Sequence, residues 1–213
     1  MPSLPKLTER EMRERLQLPE GRVRVVIDTD AKNEIDDQFA LAWALLSGER
    51  LDLEGVYAAP FSFRIFAAAL ARAYDLSRTP VLQNEVDARL VERFHGWLAG
   101  LARQGVDPKD IHFDGPDVGM ERSYEEILAV YAKLGMDPAG LVFRGSPAYL
   151  PAPNRPVDSP AARHLIERAL ASRERPLYVA AIGAATNIAS AILLEPEIIR
   201  HIVVLWTAGY PTW

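Results

Sequence analysis

Residues 28–37 read DTDAKNEIDD, so five carboxylates (Asp28, Asp30, Glu34, Asp36 and Asp37) fall in ten positions against one cation, Lys32. The apolar run RVRVVI precedes them and FALAWALL follows, which crowds the acids where a strand hands over to a helix. Crowded carboxylates repel one another and hold their protons more tightly unless a cation neutralises them. A donor set of oxygens with high negative charge suits Ca2+ or Mg2+. The chain has no cysteine, which excludes thiolate metal sites, disulfides and cysteine nucleophiles. Taken singly, each acid has a plain structural reading: Asp36 as a helix N-cap, Asp37 in the first helical turn, Asp28 as a surface acid at a strand end. Five together at one strand-to-helix turn favour the metal reading.

The elements that must position these acids alternate. Strands are predicted at 22–28, 51–60, 140–146, 175–183 and 201–209. Helices are predicted at 9–18, 36–47, 64–76, 85–104, 121–134, from Ser159-Pro160 onward, and at 187–194. Thr8 and Glu11 have the capping-box spacing, and Phe39, Leu41, Trp43, Leu45 and Leu46 mark the apolar positions of the second helix. Residues 79–83 are a short connecting segment, and 111–120 and 147–160 are loops. This order predicts an α/β fold, a mainly parallel central sheet flanked by helices, in one domain over 1–213 with a helical extension at 1–21. Open sheets of this kind bind ligands at the carboxyl ends of their strands.

Composition narrows the function. The chain has 213 residues, 24 Lys and Arg against 29 Asp and Glu, and a net charge of −5, so no basic excess attracts nucleic acid or an anionic membrane. Charges interrupt the N-terminus before a signal sequence can form. The uncharged window 177–194 is broken by Gly183, Thr186, Asn187 and Ser190, and reads as strand, loop and helix rather than a membrane span. The expectation is a soluble cytoplasmic protein acting on a small molecule, with a homo-oligomer left open. Of the four histidines, His95 and His164 read as helix-surface residues and His201 as the start of a strand. Only His112, near Asp114, is a candidate proton donor to a leaving group. Residues 183–187 lack the Gly-Lys-Ser/Thr ending of a phosphate loop.

The stretch VVIDTDAKNEIDDQFALAWAL resembles the N-terminal signature of the inosine-uridine-preferring nucleoside hydrolases, a strand followed by Asp-x-Asp-Pro-Gly-x-Asp-Asp and an apolar helix. VAAIGAATNIASAILLEPEI is similar to that family's Gly-Pro-Leu-Thr-Asn-Ile-Ala segment, and IVVLW at 202–206 falls where the family has an apolar strand leading to substrate. The resemblance implies hydrolysis of N-ribosidic bonds with one tightly held Ca2+. It implies Asp30 and Asp37 as metal ligands, Asp30 also as base toward the attacking water, and the Thr186 carbonyl as a further ligand. Asp36 would hold ribose hydroxyls and Trp206 would face the substrate.

The match is not complete. Ala-Lys-Asn-Glu-Ile stands between Asp30 and Asp36 where the signature has Pro-Gly-x, so two extra residues sit in the loop and make Asn33 and Glu34 candidates for a ligand or ribose role. This longer loop resembles that of a nucleoside-hydrolase-like branch. Phe61-Ser62-Phe63 replaces a region where many members place a ribose-contacting Asn, and 64–115 is essentially unmatched. The family's downstream part, with an Asn/Glu/Asn substrate element and a late metal-binding Asp, has no counterpart before Trp213. The chain therefore reads as C-terminally incomplete, with little hydrolysis and a tendency to associate expected of these residues alone. Two other readings remain: a haloacid-dehalogenase-like phosphohydrolase built on Asp28-Thr-Asp30, and a non-catalytic ribose- or metal-binding remnant.

Overall fold

The computed structural model describes residues 4–79, 84–171 and 175–207. They fall into two compact units, one formed by the described residues up to Phe61 with those from Pro116 onward, the other by those from Ser62 to Gly115.

The first unit is built on five parallel strands: β1 (Val23–Thr29), β2 (Leu51–Ala58), β3 (Val142–Arg144), β4 (Leu177–Ala181) and β5 (Ile202–Trp206), in the order β3-β2-β1-β4-β5. This is the α/β fold expected, with an all-parallel sheet among the described residues. β1 lies at the centre and is buried from Arg24 through Thr29, as a near-continuous β-branched run requires of a strand covered on both faces. Helices α2 (Ile35–Leu46) and α5 (Pro116–Leu134) cover one face, where Ile27, Leu41, Val56, Ile127 and Tyr131 meet. Helices α6 (Pro160–Leu170) and α7 (Thr186–Leu194) cover the other, over Val26, Tyr57, Leu165, Val179 and Ile188. An N-terminal helix α1 (Glu9–Arg15) carries the capping box formed by Thr8 and Glu11.

The structure corrects four sequence expectations. Helix α2 buries Asp37, Leu41 and Ala44, while Phe39 and Trp43 stand 71% and 74% exposed. Its N-cap position is Glu34, which makes no side-chain capping bond, rather than Asp36. His164 does not lie free on a helix surface: its ring stacks on Phe143 (3.9 Å between centroids) and its Nδ1 bonds the Tyr57 hydroxyl (3.0 Å), with burial lowering its pKa. Helix α5 also begins at Pro116, inside the expected loop, because proline suits the first helical turn.

The second unit pairs α3 (Ala67–Ser77) with α4 (Glu85–Gln104) around Leu70, Ala73 and Phe94. Asn84 caps α4 and Gly105 ends it in the left-handed conformation. His112 lies in this unit, exposed, with Nε2 at 3.7 Å from Asp114. Most of the connecting segment expected at 79–83, and the end of the last expected strand, lie outside the described residues.

Candidate active site

The strand order reverses direction at β1, whose neighbours β2 and β4 lead to opposite edges of the sheet. The carboxyl ends of β1 and β4 therefore flank a topological switch point, where open α/β sheets form their crevice. Register sets the row at that end: Tyr57 pairs with Asp28, Asp28 with Ala181, and Ala181 with Trp206. The chain beyond β4 is tied back to β1, since the amides of Ile182 and Gly183 donate to the Asp28 carbonyl (2.8 and 3.2 Å).

A cleft of about 510 Å3 opens there, lined by Asp30, Asn33, Glu34, Asp36, Asp37, Trp206 and the backbone around Gly183. It gathers six of the seven residues nominated from the sequence. The seventh, Thr186, is buried at the start of α7 and does not line the cleft, although it follows the wall residues Gly183 and Ala184. Gly183 allows the close approach of the two strand ends: a Cβ there would lie 2.9 Å from the Asp30 amide nitrogen and 3.0 Å from its Oδ1.

The carboxylates are held by local bonds. The Thr29 hydroxyl donates to Asp37 Oδ2 (2.6 Å), and the Asn33 amide donates to Asp30 Oδ2 (2.9 Å) and Glu34 Oε1 (3.0 Å). The Asn33 backbone N–H closes the turn onto the Asp30 carbonyl (2.6 Å). Asp28 is fully buried; its Oδ1 accepts from Asn187, and its Oδ2 has no hydrogen-bond partner. Lys32 does not neutralise the cluster, because its ammonium pairs with Glu126 on α5 (2.8 Å). Burial first, and repulsion from neighbouring acids second, raises these groups. Asp28 and Asp37 are pushed up to about 7, and Asp30 and Glu34 also rise. No described lysine or arginine lines the cleft.

The sequence pattern of the inosine-uridine preferring nucleoside hydrolases matches residues 25–209. The chain belongs to this family. No curated protein matches it. Among solved structures it is similar to a nucleoside hydrolase-related hypothetical protein from Saccharophagus degradans associated with carbohydrate metabolism, at 17% identity and a TM-score of 0.43. The similarity covers 86% of this chain, and the chain spans 38% of that protein's length. Membership in the nucleoside hydrolase family does not favour the phosphohydrolase reading of Asp28-Thr-Asp30.

The donors of this nucleoside hydrolase relative fit a hard divalent cation in chemistry: oxygen ligands, uncompensated charge, and carboxyls held up by burial and by one another. They do not form a side-chain cage. Among the described residues no group of three or more His, Cys, Asp or Glu side chains is placed to hold a metal, so two carboxylates would need help from backbone carbonyl or water oxygens. No described helix is long and apolar enough to cross a membrane.

Two features of the site escaped sequence reasoning. The diversion of Lys32 depends on a partner 94 positions away, and Asn187, which reaches Asp28 across 159 positions, passed only as part of a motif. The Gly183 to Asn187 motif was the one local signal for the latter.

Proposed function

We propose that this cleft hydrolyses the N-ribosidic bond of nucleosides or related ribosyl compounds, with Ca2+ held by Asp30, Asp37 and the backbone carbonyl of Thr186. The observation that carries the reading is the convergence of Asp30, Asn33, Glu34, Asp36, Asp37 and Trp206 on one cleft without a lining cation. When bound, the cation supplies a water of lowered pKa. Asp30 takes the proton of the attacking water, as a carboxylate oriented by the Asn33 amide and lining the cleft can. Thr29 and Asn33 hold the Asp37 and Asp30 carboxylates in place, so little reorganisation accompanies reaction. The exposed Asp36, with Asn33 and Glu34, accepts hydrogen bonds from ribose hydroxyls and places negative charge beside an oxocarbenium-like ribosyl group. Trp206, which ends β5 and lines the cleft, offers an apolar face to the substrate and sheds water from that side.

Reducing-sugar release from inosine and uridine, with Ca2+ and with EDTA, tests the proposal. Ca2+-dependent release of ribose above the EDTA blank, slow from these 213 residues alone and lost in Asp30→Asn, is the expected result. Ca2+ binding without release from any ribosyl compound would favour a binding role, and hydrolysis unaffected by Asp30→Asn would remove the base from the scheme.

A further inference from the structure

Asn187, the second residue of α7, has no exposed surface and touches neither the cleft nor the proposed ligand oxygens of Asp30 and Asp37. Its amide nitrogen donates to Asp28 Oδ1 (2.8 Å) and to the Ala58 carbonyl (3.2 Å). Its amide oxygen accepts from the Ser146 backbone N–H (2.7 Å), with the Ser159 hydroxyl at 3.5 Å. A side-chain amide has two donor hydrogens and two acceptor lone pairs, and all four are engaged here. Each partner belongs to a different segment: the ends of β1 and β2, the stretch after β3, and the N-cap of α6. Room for this arrangement comes from Gly145, where a Cβ would overlap both the Ala58 carbonyl oxygen and the Asn187 amide.

We infer that Asn187 is a positioning residue that locks the start of α7, and with it the Thr186 carbonyl, onto the carboxylate end of β1. The inference rests on the cation site proposed above. Asn187 and Thr186 are adjacent on the chain, so bonds that fix the Asn187 side chain to Asp28 also fix where the preceding peptide lies. Removing the amide frees α7 to shift against β1, and leaves buried partners on β1, β2 and the loop after β3 unpaired. Ser190 provides the contrast. It is buried one turn further along α7 and accepts from the Val157 N–H (3.1 Å), a bond that supports the helix without reaching β1.

Calorimetric titration of the chain with Ca2+ separates positioning from simple support of the fold, with folding of each variant checked by circular dichroism. Groups that orient metal ligands are worth on the order of 10- to 100-fold in metal affinity. Asn187→Ala is expected to lose affinity in that range while remaining folded at low temperature. Ser190→Ala is expected to lower the melting temperature yet keep affinity within about twofold, below what a metal-orienting group contributes. Should Asn187→Ala fail to fold, Asn187→Ser, which retains a hydroxyl near Asp28, carries the same comparison. Binding lost in Asp37→Ala but retained at full strength in a folded Asn187 variant overturns the positioning role alone. An equal loss of affinity in Ser190→Ala does the same. Binding that survives Asp37→Ala overturns the cation site itself and the role of Asn187 with it.

Discussion

Glu54 on β2 and Asp37 at the start of α2 are both carboxylates with little access to water, yet the molecule treats them in opposite ways. Glu54 faces two guanidinium groups: Arg24 reaches it at 2.6 Å and Arg168 at 2.8 Å. Burial pushes the Glu54 carboxyl up, but the hydrogen bonds from Arg24 and Arg168 outweigh it, so its pKa falls below the ordinary value. Arg24 is satisfied in turn by the carbonyls of Arg168 and Arg175. At the carboxyl end of the sheet, Asp28, Asp30 and Asp37 share hydroxyl and amide donors and one another's company, and among the described residues no guanidinium or ammonium lines the cleft. The first arrangement closes its own charge balance and serves the fold. The second leaves a charge imbalance inside the protein, which costs stability unless something positive arrives. A surplus of buried carboxylate is thus a better mark of a site than burial or a shifted pKa taken alone.

The largest effect that would test this contrast is at the compensated end. Glu54→Ala strands the buried Arg24 guanidinium and is expected to cost about 3–5 kcal/mol in urea unfolding, the range for breaking a buried pair from one side. Asp37→Asn is expected to leave the unfolding midpoint in EDTA unchanged or higher. A Glu54→Ala chain as stable as the parent would erase the distinction between the two regions.

Next in size is Gly183→Ala. The added methyl meets Asp30 backbone and the Ala59 Cβ at 2.9 Å, neither of which can swing away. Overpacking of this kind costs about 1–3 kcal/mol, and Ca2+ affinity is expected to fall with it. Unchanged affinity in calorimetry would show that the approach of the β1 and β4 ends is not needed by the site.

The two regions also respond to pH with opposite sign. Asp28 and Asp37 bind protons more tightly folded than unfolded, with values about 7 against 3.8. Their contribution is complete below the unfolded value and is lost as pH rises through 7. Glu54, held below its ordinary value, stabilises above that value and loses its contribution as pH falls through the lowered one. In EDTA the urea midpoint is therefore expected to rise from pH 8 to pH 5 and to collapse only in stronger acid. Asp37→Asn should flatten the rise, and a midpoint that falls steadily from pH 8 to pH 5 would contradict the charge surplus.

The smallest effect belongs to Lys32. Its pair with Glu126 is half exposed, so Lys32→Ala is expected to change stability by less than about 0.5 kcal/mol. Ca2+ affinity should stay nearly constant, because the ammonium is committed away from the cleft. A large gain in affinity would show that Lys32 neutralises the acids after all.

What could be read from the sequence was contiguous. An apolar strand, ten residues with five acids, and an apolar helix lie side by side in the chain, so the turn that displays Asp30, Asp36 and Asp37 follows from local pattern. The 3.6 and 2.0 periodicities likewise place all five strands and most helices, since backbone hydrogen bonding and side-chain spacing are local properties. Periodicity cannot say which apolar face of α2 meets the sheet: of the positions it marks, Leu41 is buried while Phe39, Trp43 and Leu46 are exposed, and the buried Ala44 is not among them. Nor can it say where a lysine's long side chain finds a carboxylate. The commitment of Lys32 to Glu126, the four bonds of Asn187, and the pairing of Glu54 with Arg24 and Arg168 join residues from 28 to 159 positions apart. Those choices belong to the tertiary structure, because the charge a buried carboxylate experiences is set by what the fold packs around it.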